Sequence, residues 1–85
     1  MAVDEEGRRF SVEIIDDDSA SRHEVEVSDR DWGRFGGGFG TRADLVEASL
    51  RFLLDREPKR SILRSFELRA ISRYFPEYGE MFVAR

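Results

Sequence analysis

The sequence predicts a small α+β domain in which an N-terminal antiparallel β-hairpin packs against three to four short helices. Residues 9–15 and 22–27 alternate between apolar and polar side chains, which is the pattern of half-buried strands. Residues 42–56 carry apolar side chains at helical spacing, which predicts a central helix. Because two strands alone are marginally stable in water, we expect the helices to cover the apolar face of the hairpin.

The chain length indicates one domain over residues 1–85, because 85 residues leave room for a single hydrophobic core. Within it we predict a disordered N-terminus (1–7), the β-hairpin (8–28), a helical part (29–76) and a loose C-terminal tail (77–85). The chain contains no cysteine, which excludes disulfides and thiolate metal ligands.

The start of the sequence differs from a secretory signal. Residues 1–6 are acidic where a signal peptide is basic, and no apolar segment follows them. The longest apolar runs are only a few residues, whereas a membrane-spanning helix needs about 20. We therefore expect a cytoplasmic protein without a membrane partner.

The alternation of the two strands assigns the core face of the hairpin. The residues expected on that face are Phe10, Val12, Ile14, Val25 and Val27. The connection between the strands, 16–21, consists of short polar or small residues that favour turns. Asp16, Asp17 and Asp18 lack the alternating ligands and the glycine turn of a calcium loop. We interpret this stretch as a turn and predict no metal site.

His23 is the only histidine of the chain and is therefore the first candidate for a catalytic base. A catalytic site needs a base, a nucleophile and an orienting acid within hydrogen-bond reach. The neighbouring Glu24 points to the opposite face of the strand, so it does not supply that acid. We interpret His23 as a partly covered strand residue and predict no enzymatic activity.

Capping residues mark the starts of two helices. Ser28 precedes a short helix that a glycine-rich run ends, and Thr41 precedes the central helix, which Pro58 ends. Beyond Pro58 we predict two further short helices, one around 62–66 and one that Pro76 ends. The side chains expected in the core of the helical part are Trp32, Leu45, Leu50, Leu53, Ile62, Leu63, Phe66, Leu68, Ile71, Tyr74 and Phe75.

The glycine-rich run 36–40 shares only its composition with phosphate-binding loops. Gly40 is followed by Thr41 and Arg42, whereas a P-loop follows a strand and continues with lysine and then serine or threonine. No βαβ unit surrounds the glycines, as a dinucleotide site requires. We interpret the run as a helix connection and predict no cofactor.

Charge is unevenly distributed along the chain. Residues 1–31 contain eleven acidic residues and four arginines, while residues 32–85 contain seven acidic and ten basic residues. Basic side chains concentrate between residues 56 and 73, as either a solvated face or a surface for an anionic partner. The candidate partner surface combines four of them with three C-terminal apolar residues: Arg56, Lys59, Arg60, Arg64, Tyr78, Met81 and Phe82. The last three either complete the core or form an exposed patch.

The stretch from Phe52 to Tyr78 contains the motifs FLLDREPK, ILRSFEL and ISRYFPEY. In these motifs it resembles a family of small bacterial proteins that has no assigned function. The resemblance implies a bacterial origin, a strand-rich start and a central helix, and it implies no activity.

A second resemblance is to ribbon-helix-helix DNA-binding proteins, in which a strand precedes two helices. Residues 23–27, the segment around Trp32 and residues 41–48 follow that order. The resemblance implies nucleic-acid binding and transcription regulation. However, the ribbon's outward side chains would be Glu24 and Glu26, which repel a polyanion, and an upstream strand would block a two-chain ribbon. We therefore predict a non-enzymatic protein-interaction or structural module with a protein partner, and nucleic-acid binding is the alternative.

Overall fold

The fold is a four-stranded sheet with one buried face, in a computed structural model that describes residues 1–16 and 19–82. The strands are β1 (Ala2–Glu6), β2 (Arg9–Ile15), β3 (Ala20–Glu26) and β4 (Ser65–Glu67). The helices of these residues are α1 (Asp29–Phe35), α2 (Arg42–Leu54), α3 (Ala70–Tyr74) and α4 (Glu77–Met81), and a 3-10 helix spans Lys59–Ser61. The predicted α+β class is confirmed.

The strands lie in the order β1-β2-β3-β4, so the predicted hairpin forms the middle of the sheet. β2 and β3 pair antiparallel, with Phe10 opposite Val25 and Val12 opposite His23. All four of these side chains are buried. The residues of β3 on the other face of the sheet are exposed: Ala20, Arg22, Glu24 and Glu26. The period-two pattern of the sequence therefore sets the register, because a slip of one residue would turn every apolar side chain into water.

The N-terminal residues form a strand, so the prediction that residues 1–7 are disordered is wrong. β1 pairs antiparallel with β2, and Val3 lies opposite Val12. Gly7 adopts a φ of 67° in the connection between the two strands, a conformation that glycine reaches without a steric penalty. Val3 is the one apolar side chain of β1 that packs against the core, so the backbone ladder carries most of the pairing.

The segment after Pro58 is extended, so the helix predicted around residues 62–66 is wrong. After the short 3-10 helix, β4 pairs parallel with β3, and Phe66 lies opposite Val25. The Glu24 N–H donates to the Arg64 C=O at 2.7 Å, and the Leu68 N–H donates to the Glu26 C=O at 3.0 Å. These bonds satisfy backbone groups along the second edge of β3, which a helix in this place would leave unpaired.

The helices cover one face of the sheet. The predicted core residues that are buried are Phe10, Val12, Ile14, Val25, Val27, Leu45, Leu50, Leu53, Ile62, Leu68 and Ile71. Trp32, Phe66 and Phe75 are partly buried against this cluster. Leu63 and Tyr74 are exposed, so their assignment to the core is wrong.

The C-terminal residues that the structure describes are packed, so the prediction of a loose tail is wrong for residues 77–82. α4 places Tyr78 in the core, where its ring stacks on that of Phe82 at a centroid distance of 4.3 Å. The Tyr78 hydroxyl is 2.7 Å from the Ser49 hydroxyl of α2, which itself donates to the Leu45 C=O. The remainder of the predicted tail, 83–85, lies outside the described residues.

Both predicted helix caps are confirmed, and one arginine joins the two helix starts to the sheet. The Ser28 hydroxyl accepts from the Asp31 N–H at 3.0 Å, and the Thr41 hydroxyl accepts from the Asp44 N–H at 3.1 Å. Arg42 donates to the C=O of the residue before Ser28 at 2.8 Å and to the Asp29 carboxylate at 2.7 Å. The hydrogen bond from Arg42 lowers the pKa of Asp29 below its ordinary 3.8, and the charge of a neighbouring arginine adds to the effect.

Truncation of a buried residue tests the core. We expect Leu50→Ala to lower the free energy of unfolding by roughly 2–5 kcal/mol, because Leu50 is fully buried and the cavity would not fill. Leu63→Ala, at a residue that is half exposed, should change it by less than about 0.5 kcal/mol. Urea unfolding of both variants measures the difference. Equal losses in the two variants would contradict this packing.

Gly36 is the C-cap of α1 and lies against the ring of Trp32. Substitution by alanine tests whether a side chain fits at this position. A Cβ on Gly36 would lie 2.3 Å from a ring carbon of Trp32 and 2.6 Å from its carbonyl oxygen. We therefore expect Gly36→Ala to destabilise the fold by roughly 1–3 kcal/mol. At Gly38 an added Cβ meets nothing within 4 Å, so Gly38→Ala is the matched control for thermal unfolding. Similar melting temperatures for the two variants would refute the close packing of Gly36 on Trp32.

Candidate functional site

Tyr78 and Phe82 belong to the core, which corrects their place in the predicted partner surface. Tyr78 is fully buried, and Phe82 is buried against Phe39 and Phe52 at centroid distances of 5.8 Å in both cases. Met81 is 62% exposed, as its position on the outer side of α4 allows. Core and exposed patch, the two alternatives for these residues, thus both occur within α4 and the residue after it, because only one side of the helix faces the core.

Arg56 and Lys59 are held by contacts within the chain. The Arg56 guanidinium lies 3.5 Å from the centroid of the Phe52 ring and 3.6 Å from the Glu77 carboxylate. The Lys59 ammonium pairs with the Asp16 carboxylate and donates to the Ser19 C=O at 3.0 Å. Both charges therefore have partners within the fold, Arg56 in the C-terminal half and Lys59 in the loop between β2 and β3, and are poorly placed to bind a partner protein.

The loop between β2 and β3 binds Lys59 and so holds the segment that precedes β4 in place. The Asp16 N–H donates to the Ser19 C=O at 3.0 Å, and the Ser19 N–H donates back to the Asp16 carboxylate at 3.0 Å. Asp17 and Asp18, the other members of the predicted turn, lie outside the described residues. Among residues 1–16 and 19–82 no three histidine, aspartate or glutamate side chains cluster in a way that would hold a metal ion.

His23 is fully buried, which corrects the expectation that it is partly covered. Its Nδ1 lies 2.8 Å from the Leu63 C=O, and its Nε2 lies 3.0 Å from the Ser21 hydroxyl. Both ring nitrogens therefore have hydrogen-bond partners inside the fold. The Leu63 contact joins β3 to the residue that leads into β4, so the histidine helps to position that strand.

An apolar groove lies between β4, the 3-10 helix and α3. Its volume is about 340 Å³, and its lining residues are Leu53, Glu57, Ser61, Ile62, Leu63, Phe66, Ala70, Ile71, Tyr74 and Phe75. Leu63 is 51% exposed and Tyr74 is 69% exposed, so two large apolar side chains of the lining are open to water. Pockets of this size and composition are typical of binding sites.

Sequence reasoning misses this groove because it assigns a helix to residues 62–66. In a helix, Ile62 and Leu63 both reach the same apolar stripe, whereas in an extended chain neighbouring side chains point to opposite faces. Ile62 is buried and Leu63 is exposed, as the extended backbone requires. The alternation of Phe66, Glu67 and Leu68 is the short local signal that favours a strand.

Three exposed arginines adjoin groove-lining residues in the chain. Arg60, Arg64 and Arg73 are all exposed, and each is the chain neighbour of a lining residue. Within residues 1–16 and 19–82, none of the three lies within 4.0 Å of a carboxylate. Glu57 is the charged residue among the groove-lining residues named above, and the three arginines are not part of that lining.

The opposite face of β3 and β4 carries a smaller cleft of about 130 Å³ with a different character. Its lining is mostly charged and consists of Arg9, Glu24, Glu26, Ser65, Phe66 and Glu67. Arg9 lies 3.8 Å from Glu24, so the charges of this face partly compensate one another. The apolar groove is therefore the better candidate for a binding site.

Comparison of the chain with protein-family models, curated proteins and solved structures finds no match. Among the described residues no helix has both the length and the apolar composition to cross a membrane. The resemblances to the bacterial family and to ribbon-helix-helix proteins stay predictions. The apolar groove is therefore the basis of the functional proposal.

Because the Tyr78 hydroxyl is buried, we expect the free energy of unfolding to fall at alkaline pH. Burial raises the pKa of Tyr78 well above its ordinary 10.0. An unfolded tyrosine therefore ionises first, and the free energy of unfolding falls as pH rises above about 10, by at most about 1.4 kcal/mol per pH unit. Tyr78→Phe should cost about 1 kcal/mol at neutral pH and should remove this part of the alkaline loss.

Urea unfolding of the wild type and Tyr78→Phe, between about pH 8 and pH 11, measures the effect. The stability difference between the two proteins should shrink as pH rises. Parallel losses in the two proteins would mean that other groups cause the alkaline destabilisation.

Proposed function

We propose that this chain is a small, non-enzymatic protein-interaction module of the bacterial cytoplasm and that it binds its partner in the apolar groove. The observation that supports this proposal best is the exposure of Leu63 and Tyr74 beside a concave apolar surface. Water-exposed apolar side chains next to a pocket are typical of surfaces that become covered in a complex.

The physical basis of binding is the transfer of apolar surface out of water. Full burial of a leucine-sized side chain contributes about 1.5–3 kcal/mol. A partner side chain that enters the groove would cover Phe66 from the open side and would cover Leu63 and Tyr74 at the same time. Micromolar affinity corresponds to about −8 kcal/mol, and the entropy cost of association has to be offset in addition, so several such contacts are needed.

The composition of the groove supports a binding role over a catalytic one. Acid–base and nucleophilic catalysis need several reactive groups that converge on one point. Glu57, Ser61 and the hydroxyl of Tyr74 are the polar side-chain groups of the lining, and the other lining side chains are apolar. His23 has both ring nitrogens engaged within the fold.

Nucleic-acid binding is the alternative, because Arg60, Arg64 and Arg73 are exposed without ion pairs. A ribbon-helix-helix arrangement needs β3 to pair with a second copy of itself. Both edges of β3 are occupied, by β2 and by β4, which weighs against that arrangement. The exposed Glu24 and Glu26 on its outer face also oppose contact with a polyanion.

Selection from a random peptide library tests the proposed function. Peptides enriched on the wild-type protein should bind Leu63→Ser at least about tenfold more weakly, because the partner loses apolar contact in the groove. Ile15→Ser is the matched control, since Ile15 is 66% exposed at the end of β2 and does not line the groove. Its binding should equal that of the wild type.

Failure to enrich any peptide, or equal binding by the two serine variants, would refute the groove as a protein-binding site. A parallel titration with duplex DNA addresses the alternative. Binding that falls steeply with salt and disappears in Arg60→Glu and Arg64→Glu would favour nucleic acid as the partner.

A further inference from the structure

β4 is an edge strand whose outer backbone groups face away from the sheet. The Arg64 C=O and the Leu68 N–H both bond to β3. Backbone groups of alternate residues in a strand point to opposite edges, so those of Ser65 and Glu67 point outward. Both residues are exposed. β4 therefore offers an incomplete ladder to an additional strand.

Two concave surfaces flank this edge, one on each face of the sheet, and Phe66 belongs to both. The apolar groove lies on the face that Phe66 shares with Val25, its partner on β3. The charged cleft of about 130 Å³ lies on the opposite face, to which Ser65 and Glu67 turn. In a strand added beside β4, successive side chains would therefore point in turn to the groove and to the charged cleft.

The register of the sheet aligns carboxylates beside that cleft. One row across the four strands, in which each residue lies opposite the next, consists of Glu6, Arg9, Glu26 and Glu67. Glu26 and Glu67 are thus direct cross-strand partners of like charge, an arrangement that costs stability. Glu24 lies opposite Ser65 in the neighbouring row. The next position of each row, on an added strand, would therefore meet carboxylates.

Arginines compensate these carboxylates only in part. Arg9 lies 3.8 Å from Glu24, and Arg69 lies 2.8 Å from Glu67. In the part of the chain that the structure describes, the Glu26 carboxylate has no basic nitrogen within 4.0 Å. The cleft lining contains three glutamates and one arginine. A cationic side chain opposite Glu67 would offset the excess charge, whereas an anionic one would add to it.

We infer that the partner is an extended polypeptide segment in which basic and apolar side chains alternate, and that it adds to β4 as a fifth strand. An apolar side chain opposite Phe66 enters the groove, and the basic side chains that flank it lie opposite Ser65 and Glu67. The inference rests on the proposed function of the groove and adds the conformation and the charge pattern of the occupant. Backbone hydrogen bonds to β4 supply affinity, and the surfaces on the two faces supply specificity.

A short synthetic peptide in which lysine alternates with leucine is the probe, and fluorescence anisotropy measures its dissociation constant. An ionic strength of about 0.15 M screens the attraction between distant charges. We expect Glu26→Gln combined with Glu67→Gln to weaken binding at least about tenfold. Glu5→Gln with Glu80→Gln is the control for net charge, because both residues are exposed and neither lines the groove or the cleft. This control should bind the probe within about twofold of the wild type.

Modified probes test the inference without altering the protein. A probe with glutamate in place of lysine should bind at least about tenfold more weakly, because its charged side chains would face Glu26 and Glu67. Two further probes carry N-methyl groups, one at the lysines and the other at the leucines. Only alternate N–H groups of an added strand face β4, so one of these two should bind at least about tenfold more weakly than the other.

Equal affinities of the two methylated probes would overturn the strand addition. Equal weakening in the two glutamine pairs, or undiminished binding of the glutamate probe, would overturn the basic partner. If the random library yields groove-binding peptides in which basic and apolar residues do not alternate, the inference fails while the proposed function stands. Concentration-dependent self-association of the chain, blocked by Leu63→Ser in sedimentation, would identify a second copy as the occupant and would likewise overturn it.

Discussion

The pairing of β3 on both edges is the constraint from which the remaining architecture follows. β3 carries Val25 and His23 into the core, so its backbone is largely shielded from water and needs partners inside the fold. β2 satisfies one edge through a short local connection. The other edge requires a segment from about 40 residues further along the chain, and 65–67 provides it. A helix in that place would leave the second edge of β3 unsatisfied.

The site is a consequence of that distant pairing. Because the chain must be extended at β4, Leu63 turns outward while Ile62 turns into the core. The chain also has to travel from the end of α2 to the sheet, and Lys59 fixes this path through its contacts with Asp16 and Ser19. The short length of β4 leaves its outer edge and the adjoining groove open between the 3-10 helix and α3. β4 thus provides hydrogen-bond partners for the second edge of β3 and becomes the edge strand of the sheet itself.

Local sequence signals predict the parts of the fold that are locally determined. The alternation of Phe10, Val12 and Val25 predicts the hairpin and its core face, and Ser28 and Thr41 predict two helix starts. These features depend on neighbours within a few residues or on a short turn.

The remaining parts depend on pairing between distant segments. β1 is mostly acidic and contributes one apolar side chain to the core. In the sequence it therefore resembles a disordered segment. β4 consists of three residues and derives its conformation from β3, which overrides the local helical spacing. The sequence identifies Arg60 and Arg64 as candidate contacts, but the groove beside them exists only once β4 is in place. Tyr78 shows the same limit, since it is buried among residues that are distant in the chain, including Phe35 of α1 and Ser49 of α2.

The two edges of the sheet both carry exposed charge, which restricts their pairing with further strands. β1 carries Asp4, Glu5 and Glu6, and β4 carries Glu67. A neutral, apolar edge beside an open groove would pair with any exposed strand and would promote aggregation. β4 limits this risk through its length as well, because a strand of three residues offers few backbone groups to an added strand.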